Sequence, residues 1–235
     1  MQNYEFTHAL KNCKYPKSSM ISVKNKHIPF FSVIVTCHNR SHILERALKS
    51  LLIQDLQDWE CLIVNDGSTD DTDAIVQSWI NSDDRFRYLK HGHRGQALTK
   101  NAGILASSGL FITFLDSDDE YTPDHLSIRK AMLEEYTHLD LLHGGVSIIG
   151  DPYVPDMNNP GQLIHLSECI IGGTFVFSAS AIHGLNGFDN VSYGDDTKLF
   201  EKAEHAGLSI AKTDYPSYVY HRDMPDSLCN IRKEQ

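Results

Sequence analysis

From residue 30 onward the chain alternates short, continuous apolar runs with longer stretches whose apolar positions recur every three or four residues. Phe30-Phe31-Ser32-Val33-Ile34-Val35-Thr36 is the first such run. Short, β-branched and uninterrupted, it has the pattern of a strand buried on both faces. Ser41 then stands where a helix cap is expected, and Ile43, Leu44, Ala47, Leu48, Leu51 and Leu52 fall on one helical face. Glu60–Val64 predicts the next strand, which stops at Asn65-Asp66-Gly67-Ser68. A helix through Ala74, Ile75 and Trp79, a short strand at Phe86–Leu89, a helical segment at Gln96–Ala106 and a buried strand at Leu110–Leu115 come next. Thr122-Pro123 has the order of a capping residue with proline at the first helical position, and so predicts another helix.

Strands and helices alternating at this spacing predict a doubly wound α/β fold with a mostly parallel sheet. The second half is less regular. Gly150–Gly161 holds three prolines and two asparagines, the composition of a surface loop. An apolar segment (Gly172–Phe177), a helix from Asp195 to Ala206 and an aromatic stretch (Tyr215–Tyr220) complete the pattern.

Composition narrows the class. With 235 residues, 41% hydrophobic and 22% charged, the chain fits one soluble globular domain and excludes global disorder. No apolar run approaches the ~18–20 residues that span a bilayer. The net charge of −10 excludes a dedicated nucleic-acid binder, and it is unevenly placed: residues 1–30 carry +4 and the rest −14. The division expected is therefore a basic extension (1–29) before the domain proper (30–235). The extension reads either as a solvated tail or short appended helix, or as a contact for a partner or for anionic lipid at the inner face of a membrane. Cys13, Cys37, Cys61, Cys169 and Cys229 show no CxxC spacing and read as reduced thiols of a cytoplasmic protein.

Ligands of open α/β sheets bind beyond the carboxyl ends of the strands. Three strands here end in polar clusters: Thr36-Cys37-His38-Asn39-Arg40, Asn65-Asp66-Gly67-Ser68 and Asp116-Ser117-Asp118-Asp119. Parallel strands would bring all three to one edge. The three carboxylates of the last cluster repel one another unless a cation or hydrogen bonds compensate. Oxygen ligands of this kind suit Mg²⁺ or Mn²⁺. An acidic turn with Asp119 capping the following helix would use the same residues.

In this order and context these pieces resemble the inverting glycosyltransferases of family 2, with the GT-A fold. Lys100-Asn101-Ala102-Gly103-Ile104, Gly187-Phe188-Asp189, Tyr193-Gly194-Asp195-Asp196 and the tail Tyr220–Leu228 extend the resemblance to about residue 230. It implies a Rossmann-like sheet with a nucleotide-sugar half (30–120) and a smaller acceptor half (121–235). It also implies transfer of a sugar from a UDP-sugar to a hydroxyl of a saccharide or glycoconjugate acceptor. By that resemblance Asp66 binds the base beside Thr36, with His38, Asn39 and Arg40 on the same loop. Asp116 and Ser117 meet the ribose, and Asp118 with Asp116 holds Mn²⁺ or Mg²⁺ on the diphosphate. The acidic pair supplies the catalytic base, at Asp196, with Asp195 supporting it. Arg94 and Lys100 are the candidate phosphate cations.

Three positions depart from the family pattern. Asn65 stands for an aspartate, Lys100 for the common arginine, and Met224 for a frequent histidine, which leaves His221 as the nearby candidate for a third metal ligand or as a structural histidine. His91 and His93 lie in a glycine-containing loop that either approaches the donor or is solvent-exposed, and exposure is the expectation. These departures would suit a sugar-nucleotide-binding protein without turnover. A phosphatase of the haloacid-dehalogenase type also needs a strand followed by DxD, but Glu120 breaks its motif and Asp116 follows the fourth strand, not the first.

Overall fold

The computed structural model describes residues 27–156, 159, 161–191 and 194–223. Most of the basic extension, together with Tyr193 and Met224, lies outside them. Four strands come first: β1 (Phe31–Cys37), β2 (Trp59–Asp66), β3 (Phe86–His91) and β4 (Phe111–Asp116). They are interleaved with α1 (Leu44–Leu52), α2 (Thr72–Ser82) and α3 (Gln96–Ala106). Then come β5 (Glu120–Tyr121), α4 (His125–Glu135), β6 (Leu141–Ile149), β7 (Tyr153–Pro155), β8 (Leu163–His165), β9 (Val176–Ser178), α5 (Ala179–Gly184), α6 (Asp195–His205) and β10 (Ile210–His221).

Among the described residues the main sheet runs β3-β2-β1-β4-β9-β6-β10-β5, and β7 pairs with β8 as a separate ribbon. β1 through β4 run parallel to one another and β10 is parallel to β6. β9 is antiparallel to β4 and β6, and β5 to β10. The sheet is mostly parallel, as the alternation predicts.

Strand alternation splits the core into two layers. Phe31, Val33 and Val35 face Leu44, Leu48, Val76, Trp79, Leu126 and Leu133, the inner faces of α1, α2 and α4. Ile34, Ile112 and Phe114 face the opposite way, toward Ala97, Ile104, Ile182, Leu199 and Ala203 of α3, α5 and α6. No helix among the described residues is long and apolar enough to cross a membrane.

Several boundaries differ from the sequence reading. α1 begins at Leu44 with no side-chain cap; the Ser41 amide donates instead to Asp70 Oδ2 at 3.0 Å. α4 begins at His125, and Thr122 donates to Asp124 Oδ1 rather than capping the helix. The Gly150–Gly161 loop contains β7. β6 has no counterpart in the sequence reading. A Cβ on Gly145, whose φ is +74°, would lie 2.0 Å from the Tyr215 carbonyl oxygen, so glycine lets β10 bulge outward between Thr213 and Tyr218.

Candidate functional site

The carboxyl ends of β1, β2 and β4 do converge. Thr36 pairs in register with Val64 on one side and Asp116 on the other. Above them opens a cavity of about 750 Å³, closed by the start of α3, the start of α6, the β7–β8 ribbon and residues 169–173. Thr36, His38, Arg40, Asp66, Lys100, Asp116, Ser117, Asp118, Asp195 and Asp196 all line it. Of the residues that the resemblance assigns to the site, Asn39, Arg94 and His221 do not. Asn39, at φ 53°, braces the loop by accepting from the Thr69 amide, and Arg94 contributes its backbone while its side chain is exposed.

Asp66 ends β2 with its carboxylate nearly buried. Oδ1 accepts from the Arg94 amide at 2.7 Å and Oδ2 from the Gly95 amide at 2.9 Å. Burial alone would raise this carboxyl, but the two amides, Thr99 and His93 outweigh it and hold the group below the usual range. The same bonds pin residues 92–95 against the strand end. Gly67 makes the close approach possible: at φ +72°, a Cβ there would lie 2.7 Å from the His93 amide nitrogen. Asn65 points away from the cavity, donating to Asp73 and Tyr88 and accepting from the Ser68 amide, so its departure from aspartate is structural.

Two histidines cover this end. The His38 ring donates from Nδ1 to the Asp66 carbonyl oxygen at 2.7 Å, and the His93 ring stacks on it with centroids 4.2 Å apart. His93 lines the cavity while remaining 62% exposed. His91, expected at the surface, has a side chain only 11% exposed because it packs beside Asp66.

The acidic turn divides its three carboxylates. Asp116 and Asp118 face the cavity. Asp119 turns into the core, where Oδ2 accepts from Tyr218 Oη at 2.6 Å and Oδ1 from the His221 amide at 2.8 Å. Burial, then the charges of Asp118 and Asp116, push its carboxyl well above the ordinary range. Asp119 therefore neither caps a helix nor faces a ligand. Arg46 of α1 donates to the Asp118 carbonyl oxygen and reaches Glu120 at 3.8 Å. The His221 ring sits behind the turn, 2.7 Å from Glu120 Oε1 and 3.3 Å from Asp223 Oδ1. Among the described residues no preformed group of three or more His, Cys, Asp or Glu side chains is arranged to hold a metal.

Across the cavity, α6 begins with Asp195 and Asp196, and α3 supplies Lys100 between the two acidic groups. Lys100 Nζ is buried 3.4 Å from Asp195 Oδ2 and 4.8 Å from the centre of the Phe188 ring. Burial would lower its ammonium, but Asp195, Asp116 and Asp196 overcome this and raise it. Asp196 accepts from the Thr197 amide at 2.8 Å and the Gly172 amide at 3.2 Å. Burial raises its carboxyl, Lys100 opposes and Asp195 adds to the rise; the net direction is upward. Asn101 clamps this wall by exchanging two 2.8 Å bonds with the Phe188 backbone. Cys37 also lines the cavity, but burial and nearby aspartates push its thiol up to about 12, so it is no nucleophile at neutral pH.

Another part of the lining combines Val154, Ile164, Leu166 and Ile171 with Asp156 and Glu168. Sequence reading missed this part and Arg46, whereas His93 is both exposed, as expected, and at the cavity, the alternative for that loop. Only alternation at Leu163-Ile164-His165 hints at the ribbon.

Comparison with known proteins finds relatives of the chain. The family described as Glycosyl transferase family 2 matches residues 32–158. The GalNAc(5)-diNAcBac-PP-undecaprenol beta-1,3-glucosyltransferase of Campylobacter jejuni is 41% identical over 118 residues, covering 48% of this chain and 37% of that protein. Staphylococcus aureus TarS in complex with UDP-GlcNAc superposes with a TM-score of 0.69 at 22% identity, over 83% of this chain and 59% of that one. A mannosyltransferase from Pyrobaculum calidifontis, in complex with GDP-Man and Mn²⁺, gives 0.68 at 18% identity, over 88% and 61%. The chain thus spans about a third of that curated relative, and the two structures bear on fold alone.

Proposed function

This chain belongs to glycosyl transferase family 2, and we propose that it moves a sugar from a UDP-sugar to an acceptor hydroxyl, with inversion, by direct displacement. One observation carries the reading. Two acidic groups with different surroundings face each other across a single cavity: Asp116 and Asp118 at the end of β4, and Asp195 and Asp196 at the start of α6.

Asp116 and Asp118 fit a hard divalent ion, because Mg²⁺ and Mn²⁺ need only one or two carboxylates when phosphate oxygens and water complete the shell. When bound, such an ion neutralises the diphosphate as it departs. Arg46 fixes the backbone of this turn from outside the cavity. In this reading His221 positions Glu120 behind the turn, the structural alternative for that residue. Asp66 accepts the base N–H, Thr36 and Ser117 border the nucleoside, and Arg40 faces the phosphates. Lys100 faces Asp195 at 3.4 Å and offsets the charge of the acidic groups around it.

Asp196 takes the proton of the attacking hydroxyl. A base works best when its pKa lies near the working pH, and burial moves Asp196 in that direction. Apolar side chains with Asp156 and Glu168 suit the C–H face and hydroxyls of an uncharged sugar. The C. jejuni relative is named for a lipid-linked glycan acceptor. A comparable acceptor at the cytoplasmic face of a membrane would also give the lysine-rich residues 1–30 a surface to meet.

Release of UDP from a panel of UDP-sugars, with Mn²⁺ and then with EDTA, tests this function. Metal-dependent turnover is the expected result. Absence of turnover with tight binding would instead identify a sugar-nucleotide-binding protein, and release of phosphate from aryl phosphates a phosphatase.

A further inference from the structure

We propose that His93 is a resident stand-in for the nucleobase, occupying its subsite until a nucleotide displaces the ring. The inference rests on the nucleotide-binding reading above and adds an affinity-setting residue to it.

The geometry is specific. A base held by this strand end needs two things, an aromatic face to stack on and an acceptor for its N–H. His93 already uses both. Its ring stacks on His38 at 4.2 Å with an interplanar angle of 30°. Its Nδ1 lies 2.9 Å from Asp66 Oδ2 and 3.2 Å from the Asp66 carbonyl oxygen. Both atoms are acceptors, so Nδ1 carries the hydrogen and donates, as the imide N–H of uracil would.

The ring can leave without unfolding its loop. The Arg94 and Gly95 amides stay fastened to Asp66, and Gly67 packs on the His93 amide nitrogen. The backbone is therefore fixed while the side chain, 62% exposed, has room to rotate toward solvent. A base that enters replaces contacts of equal kind, so part of its intrinsic affinity offsets the loss of the His93 contacts. A protein whose binding-competent form is only a fraction of the population shows an affinity reduced by that fraction.

Removing the stand-in should therefore strengthen binding, whereas removing a direct base contact would weaken it. Calorimetry of UDP with Mn²⁺ on the full chain should give a dissociation constant for His93→Ala lower than wild type by at least about threefold. His38→Ala, which removes the platform itself, should bind more weakly. In the wild type, NMR of the His93 ring protons should show the ring-current shift of stacking, lost when UDP is added. Equal or weaker binding by His93→Ala, or a His93 signal unmoved by bound UDP, would overturn the proposal while leaving nucleotide binding intact. Failure of wild type and variant alike to bind UDP or GDP would instead overturn the nucleotide reading and this inference with it.

Discussion

Lys100 Nζ lies 3.4 Å from Asp195 Oδ2, and the lysine is almost wholly withdrawn from solvent. A buried ammonium survives only with carboxylates around it, and here Asp116 and Asp196 complete the set. Lys100→Met removes the positive charge that holds the Asp196 carboxyl down, leaving burial and Asp195 to raise it further. The base must be ionised to accept a proton. The acid limb of the pH profile should therefore move to higher pH, with turnover at neutral pH falling roughly ten- to a hundredfold. A parallel drop at every pH would show that Lys100 acts only through packing.

Gly67→Ala places a methyl group 2.7 Å from the His93 amide nitrogen at a backbone φ of +72°. The expected cost is about 1–3 kcal/mol of stability. The strain falls on residues 91–95, so UDP affinity should fall in the same variant. Urea unfolding and calorimetry measure the two effects. Unchanged affinity in a destabilised variant would detach this loop from nucleotide binding.

Glu60 lies at the opposite end of the sheet and makes a pH-dependent contribution to stability. Its Oε1 accepts from Ser32 Oγ at 2.7 Å and from the Ser108 amide at 2.6 Å, and Oε2 accepts from Arg87 at 2.6 Å. Burial would raise this carboxyl, but the bonds from Ser32, Arg87 and Ser108 prevail and lower it below its ordinary value of 4.5. A depressed carboxyl stabilises the fold above the unfolded pKa, and the contribution disappears as pH falls through the folded one. Glu60→Gln should cost about 2 kcal/mol at pH 7, and thermal unfolding should show that cost shrinking as the pH drops below 4.5. A difference independent of pH would contradict this assignment.

Much of the region from β1 to β4 was legible because its strands are continuous apolar runs and their carboxyl ends are polar, so period and punctuation agree. The α6 start at Asp195 was also visible, since an acidic pair precedes regular helical spacing. The features that escaped depend on contacts between distant residues. The strand through Gly144-Gly145 is shaped by the Tyr215 backbone crossing it, 70 residues later. Asp119 looks like a third ligand until Tyr218, 99 residues later, takes its proton-accepting oxygen. His93 is exposed as expected, but its stacking on His38, 55 positions earlier in the chain, has no local signal. No local pattern encodes any of these three.

The metal claim depends on Asp118 facing the cavity while Asp119 does not. Asp118→Ala should abolish the Mn²⁺ dependence of UDP binding, and Asp119→Asn should retain it. Titrations of UDP with and without EDTA distinguish the two. Equal metal dependence in Asp118→Ala would place the ion elsewhere.

The central claim is that one side of the cavity holds the donor while Asp196 on the other removes the acceptor proton. Asp196→Asn keeps the shape of the side chain and removes its basicity. Turnover of the UDP-sugar and calorimetric binding of UDP with Mn²⁺, measured on the same preparation of this variant, test the claim most directly. Turnover should fall by roughly 10²–10⁴-fold, the contribution of a positioned base, with UDP affinity nearly unchanged. Turnover close to wild type, or an equal loss of UDP binding, would contradict the assignment of Asp196 as the base.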